Sequence, residues 1–418
     1  MVVLTKSEKH PLPKTKTSLL KKDGNRSYRI LHCIDSLGCG GSEWQLLHTL
    51  HHMDRSRFNC SVCYLQPPGD LEQGISCLRL PVTNLNIQGA RDWLRAMQGL
   101  MELVNQCHAE LIHASTSYSN IYAPLVGAIK HIPVVFTLNR TFDAENQADS
   151  YLRQWRLRMF FMLRAWVLKV TKARLIAVSQ SVKESAVKHL RLPAERIQVV
   201  YRGLVPQDYE PGRFSGEEIQ KARQDIGLTD AYPVLINVGR LWSVKGQKYL
   251  IQAMPIILKR FPQARLLIAG GGPLKGELEG LRDSLGLKSC VEFLGQRKDI
   301  PLLLSMANMY VAASHCEGLS NAIVEAMAAG KPVVAFDIPM TREVLEGGAG
   351  VLVGARDPEE LAREVVQLAA NHERYQSISK RASEIVREKF DIRKNVRQIE
   401  AYYEQVISDS AATAKIRS

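Results

Sequence analysis

The sequence predicts two doubly wound α/β domains facing a central cleft. Three observations carry this. Short apolar runs alternate with amphipathic helical patterns along nearly the whole chain. The alternation halts once, over the polar, turn-rich stretch 205–220, and then restarts. Several apolar runs end in glycine-rich or polar turns that open helices, as in parallel sheets covered on both faces. The implied boundaries are a basic arm over 1–27, one domain over 28–205, a second over 206–390, and a C-terminal helix and tail over 391–418.

The arm is polar, basic and proline-containing, and is expected to be disordered. In the first domain, strands are expected over 27–37, 58–66, 109–115, 132–139, 174–180 and 197–203. Helical patterns fill 44–53, 92–107, 119–131 and 181–190. In the second domain, strands are expected over 233–240, 264–273, 291–296, 309–314, 332–337 and 350–354. Helices follow at 245–261, 357–371 and 373–390; a last helix spans 391–407, with a loose tail after it. Cys60 and Cys63 sit three apart on one strand, so they point to opposite faces and cannot share a metal.

The bulk composition excludes several classes. The chain is 45% hydrophobic and 23% charged, an ordinary globular balance. Eight irregularly spaced cysteines make no disulfide scaffold and suit reduced thiols in a cytoplasmic protein. No secretory signal or membrane-spanning helix is expected. The net charge of +13 favours an anionic partner. Nucleic acid is disfavoured, because no recognition motif accompanies the charge.

In doubly wound sheets ligands bind beyond the carboxyl ends of the strands, so four post-strand loops matter. The first, Gly38 to Glu43, is glycine-rich and opens a helix, whose N-terminus favours an anion. Alone it is a weak signal, and it lacks the spacing of a nicotinamide-binding turn. The second holds Gly239, Arg240 and Lys245; a planar fork and a point charge could together hold a diphosphate. The third is the turn Gly270, Gly271, Gly272, Pro273. The fourth is the densest. Glu317 precedes a helix start at which Gly318, Leu319, Ser320 and Asn321 present backbone N–H groups. Glu325 lies about one turn inside that helix, where a carboxylate can accept two hydrogen bonds from vicinal hydroxyls.

On these residues the chain resembles the retaining glycosyltransferases of the GT-B fold, family four, over residues 29–405. The most specific element is the pair Glu317 and Glu325, eight apart, followed by Ala-Ala-Gly-Lys-Pro-Val-Val-Ala. The resemblance implies two Rossmann-like domains, a last helix within 391–418 that crosses back to the first domain, and a nucleoside-diphosphate sugar as donor, UDP or GDP, with no other cofactor and no metal. It implies that Glu317 faces the donor sugar and Glu325 the ribose. Arg240 and Lys245 would neutralise the leaving diphosphate. The Gly318–Asn321 backbone would add donors, and Gly40 and Gly41 would cap the same phosphates from the other domain. One departure is visible. Many relatives carry a histidine after the strand matching Val134–Leu138, where this chain has Asn139 and Arg140, and Arg202 stands where Asn is frequent. Asn139 is then a candidate contact to the donor sugar and Arg140 to an acceptor phosphate. His113, ending an earlier strand, is a candidate third contact, although a lone strand histidine is more often structural.

Residues 152–174 interleave seven cations with Trp155, Phe160, Phe161 and Trp166. This is expected to be an interfacial helix on an anionic inner leaflet; the competing reading is a buried helix with snorkelling arginines. The expected protein is a cytoplasmic, peripheral glycosyltransferase acting on a saccharide or lipid-linked acceptor in cell-surface polysaccharide or lipopolysaccharide synthesis. The alternatives are a catalytically silent nucleotide-sugar binder and a nucleotide-sugar epimerase of the same fold.

Overall fold

The computed structural model describes residues 26–38, 40–87, 92–141 and 151–417, with the backbone alone at 151–158, 160–161 and 414–417. Most of the expected arm, Cys39, and the side chains of Trp155, Phe160 and Phe161 lie outside the described residues. The last arm residues are held: Arg26 Nη2 donates to Glu110 Oε1 at 3.0 Å.

The first sheet has seven strands, β1 (Tyr28–Ile34), β2 (Phe58–Tyr64), β3 (Val82–Asn84), β4 (Leu111–Ala114), β5 (Val134–Leu138), β6 (Arg174–Ala177) and β7 (Ile197–Val199). Its order is β3-β2-β1-β4-β5-β6-β7. Its helices are α1 (Gly41–His52), α2 (Glu72–Cys77), α3 (Trp93–Gln106), α4 (Ser119–Lys130), α5 (Tyr151–Thr171) and α6 (Gln180–Leu190). Helix α7 (Gly216–Asp225) leads into the second sheet, with a capping box between Ser215 and Glu218.

The second sheet has six strands, β8 (Val234–Val238), β9 (Arg265–Ala269), β10 (Val291–Gly295), β11 (Met309–Ala312), β12 (Val333–Phe336) and β13 (Val351–Val353). Their order is β10-β9-β8-β11-β12-β13. Between them run α8 (Gln247–Arg260), α9 (Lys275–Ser284), α10 (Ile300–Met306), α11 (Asn321–Ala328) and α12 (Pro339–Val344); α13 (Pro358–Ala370), α14 (His372–Lys389) and α15 (Ile392–Arg417) follow. Every strand pair is parallel.

Both sheets are buried on two faces, which is why their strands read as near-continuous apolar runs. All four residues of β11 and of β12 are buried. Cys63 belongs to one core and Cys60 to the core across the sheet. One apolar cluster runs unbroken from Phe136 and Leu175 of the first sheet to Ile236 and Tyr310 of the second.

Helix α15 packs on the first domain. Residues Leu204 and Asp391 form a parallel bridge where the chain crosses back. Tyr403 is fully buried, and Glu400 accepts the Asp54 N–H at 2.7 Å. The expected loose tail is instead helical to Arg417. Its alanines, lysine and arginine favour a helix, and no Gly or Pro interrupts the one before it. Sheet order reverses between β1 and β4 and between β8 and β11. The loops after those strands face the crevice where such folds bind ligands.

Candidate functional site

The second domain builds its side of the crevice from the ends of β8 and β11. After β11, Ser314 Oγ donates to Glu317 Oε1 at 2.9 Å, and Lys245 Nζ donates to the same carboxylate oxygen. The pair is largely shielded, with side-chain exposures of 20% for Lys245 and 14% for Glu317. Lys245 ends a short 3-10 turn, and Gly246 follows in the left-handed region at φ 63°. The structure thus joins two sequence-predicted residues 72 positions apart.

Helix α11 starts at Asn321 with Ser320 as N-cap, and no side chain caps it. Its orphan amides therefore remain available to an anion. Gly318 packs against the Asn139 carbonyl of the first domain, so a Cβ there would collide with backbone. Ser179 Oγ donates to the Gly318 carbonyl at 2.6 Å. Glu343 of α12 accepts from the Gln180 and Ser181 amides at 2.5 and 2.9 Å, capping α6 across the crevice. Thr141 Oγ1 and Cys316 Sγ are 3.1 Å apart.

Glu325 lies one turn into α11, and burial raises its carboxyl to about 7. Arg240 follows Gly239 beyond β8, with its guanidinium 5.4 Å from the Trp242 ring. Burial and the neighbouring Arg140 push the Arg240 guanidinium down, while Glu317 and Glu43 push it up. Gly270, at φ 145°, packs on the Gly239 carbonyl, and Gly271 packs on Gln296. A Cβ at Gly270 would push the Arg240 loop away.

The first domain contributes differently from the expectation. Glu43 folds its carboxylate back onto the Ser42 and Glu43 amides, so the glycine loop's helix start is already occupied by an anion. Asn139 donates from Nδ2 to the Ser115 carbonyl at 2.5 Å and accepts from Arg202 at 2.7 Å. Both ends of its amide are thus engaged within the protein. Both His113 nitrogens are engaged, Nδ1 with Tyr403 Oη and Nε2 with Thr137 Oγ1 at 2.6 Å. Burial holds His113 well below the usual imidazole range, a neutral structural histidine. Arg202, left out of the candidate set, enters the site through Ser42 and Asn139. No sequence signal beyond its departure from the usual Asn marked it.

Two family models match the chain, one described as Glycosyl transferases group 1 over residues 218–385 and one as Glycosyltransferase Family 4 over residues 39–208. An uncharacterized glycosyltransferase of Methanocaldococcus jannaschii is 35% identical over 192 residues, 45% of this chain and 49% of its own length. The chain therefore spans about half the length of that relative. A UDP-Gal:alpha-D-GlcNAc-diphosphoundecaprenol alpha-1,3-galactosyltransferase of Escherichia coli is 25% identical over 271 residues, 64% of this chain and 68% of its own. Among solved structures, Anabaena HepE in complex with UDP and glucose matches with a TM-score of 0.79 at 24% identity, covering 90% of this chain and 100% of that one.

Proposed function

The chain belongs to the group 1, family four glycosyltransferases, and on that premise we propose that it moves a hexose from a nucleoside diphosphate to a saccharide or lipid-linked acceptor, with retention. The carrying observation is the convergence of Glu317, the uncapped α11 start and Glu325 with Lys245 beside Arg240. In this reading the Glu325 carboxylate accepts the ribose hydroxyls. The α11 amides, Arg240 and Lys245 meet the diphosphate and stabilise charge as it leaves. Glu317 faces the sugar while Lys245 bridges it to the phosphate. The departing phosphate needs no metal when cations and amides already meet it. UDP is the favoured nucleotide, since the Anabaena neighbour was crystallised with it; GDP is the second.

The E. coli relative's lipid-diphosphate acceptor supports a lipid-linked acceptor here, made for a cell-surface polysaccharide. Helix α5 supports a membrane-side location. Met159, Met162, Leu163, Trp166 and Val170 are exposed by 46, 59, 47, 57 and 59%. Their spacing puts them on one helical stripe. The opposite face buries Val167 and Leu168. Arg164 is also buried, which is the competing core reading for that residue alone. Among the described residues, no helix is long and apolar enough to cross a membrane. The proposed location is the inner face of the cytoplasmic membrane.

The donor reading is tested by thermal stabilisation across a panel of nucleotide sugars, followed by donor hydrolysis without acceptor. One stabilising donor with slow release of nucleoside diphosphate supports transfer. Binding without turnover supports the silent binder, and no stabilisation by any donor overturns the reading. The membrane reading predicts binding to anionic vesicles that falls with salt. The double change Met162→Ser and Trp166→Ser should weaken it at unchanged melting temperature.

A further inference from the structure

The first-domain wall of the crevice holds a cation that the reading above leaves unused. Arg202 follows β7. Its Nη2 donates to Ser42 Oγ at 3.0 Å and to Asn139 Oδ1 at 2.7 Å. Asn139 is itself fixed to the Ser115 carbonyl. The ends of β4, β5 and β7 and the start of α1 therefore lock one guanidinium in place. Both described contacts use the same terminal nitrogen. The other, Nη1, points toward Gly41, 3.8 Å from where a Cβ would stand; the same spot is 3.7 Å from Asn321 Nδ2, the first residue of α11. The guanidinium thus reaches the line where the two domains meet, beside the uncapped α11 start.

The other anion donor on this wall is already taken. The Ser42 and Glu43 amides hold the Glu43 carboxylate. Burial lowers Arg202 to about 10, against the opposing pull of Glu43 and Glu317, so it stays charged at neutral pH. Among the described residues, Arg202 and Arg240 both sense Arg140 as a like charge and Glu43 and Glu317 as opposite ones, and Lys245 pairs with Glu317. That surplus of positive charge matches a diphosphate.

We propose that Arg202, rather than the amides of the glycine loop, is the first domain's contact to phosphate, clamping the distal phosphate of a bound nucleoside diphosphate against α11. The proposal rests on the donor-site reading. A guanidinium suits the task because one edge can be fixed by Ser42 and Asn139 while the other presents two N–H groups to oxyanions. A lysine could not do both.

The test is calorimetric titration of UDP and UMP into the wild type and into Arg202→Ala, Arg202→Lys and Glu43→Gln, with GDP and GMP used in parallel. Loss of the clamp should lower diphosphate affinity tenfold or more in Arg202→Ala while monophosphate affinity stays within twofold. Arg202→Lys should recover only part, and Glu43→Gln should bind equally or more tightly. Diphosphate affinity within twofold of wild type in Arg202→Ala overturns the proposal. So does an equal fall for diphosphate and monophosphate, which marks general damage to the wall. Tighter diphosphate binding in Glu43→Gln with Arg202→Ala unchanged returns the contact to the α1 start. A wild type that binds neither UDP nor GDP removes the donor reading itself, and this proposal with it.

Discussion

The two walls of the crevice use different chemistry. The second domain offers backbone amides at the α11 start, with Glu317 and Glu325 on one strand–turn–helix unit and Lys245 reaching Glu317 from the turn after β8. The first domain offers a side chain, Arg202, assembled from four separate segments, while its own helix start is closed by Glu43. On the proposed reading, the contrast teaches that one fold can meet phosphate by a local backbone motif on one side and by a long-range side-chain constellation on the other.

The largest expected effect breaks the second wall. Arg240→Ala and Lys245→Ala should each cut turnover by about 3 kcal/mol, with a smaller loss of donor affinity, because they act on charge that develops as the phosphate leaves. Single-turnover rates measured beside donor affinity would separate the two. Equal losses in both quantities would make them ground-state binders.

Glu325 sharpens the contrast through pH. Its folded value of about 7 lies above the ordinary value of 4.5. The fold thus favours the neutral carboxyl; stability from this group is full below the ordinary value and is lost as pH rises through about 7. Glu325→Gln should therefore raise the melting temperature of the unliganded protein at pH 8.5, by up to about 3 kcal/mol of stability, and leave it unchanged near pH 4. A variant less stable than wild type at pH 8.5 would contradict the burial argument.

The smallest expected effect lies between the walls. Glu343→Ala removes the cap that α12 places on α6 across the crevice. It should cost about 1 kcal/mol of stability and lower turnover a few-fold through poorer closure. Nucleoside-diphosphate affinity should hold, and a matching fall there would show that α12 supports the donor site itself.

The same contrast explains what was legible in the sequence. Glu317, Gly318, Asn321 and Glu325 lie within one turn and one helix, so spacing alone places them together. Arg202 meets Ser42 across 160 positions and Asn139 across 63, and no periodicity reports that meeting. His113 is tied to Tyr403 across 290 positions; as a lone strand histidine it weighs towards a structural group, but no spacing names that partner. The edge strand β3 escaped the apolar pattern because it is three residues long and only half-buried. The parallel pairing, by contrast, follows from the βα alternation that the apolar runs display.

The central claim is that the second domain binds the nucleoside of the donor through Glu325. Calorimetric titration of UDP and GDP into the wild type and Glu325→Ala at pH 8 tests it most directly. One of the two should bind the wild type, and the variant should lose about 1.5–3 kcal/mol of that affinity, the worth of a charged hydrogen-bond partner. Unchanged affinity in Glu325→Ala would contradict the account.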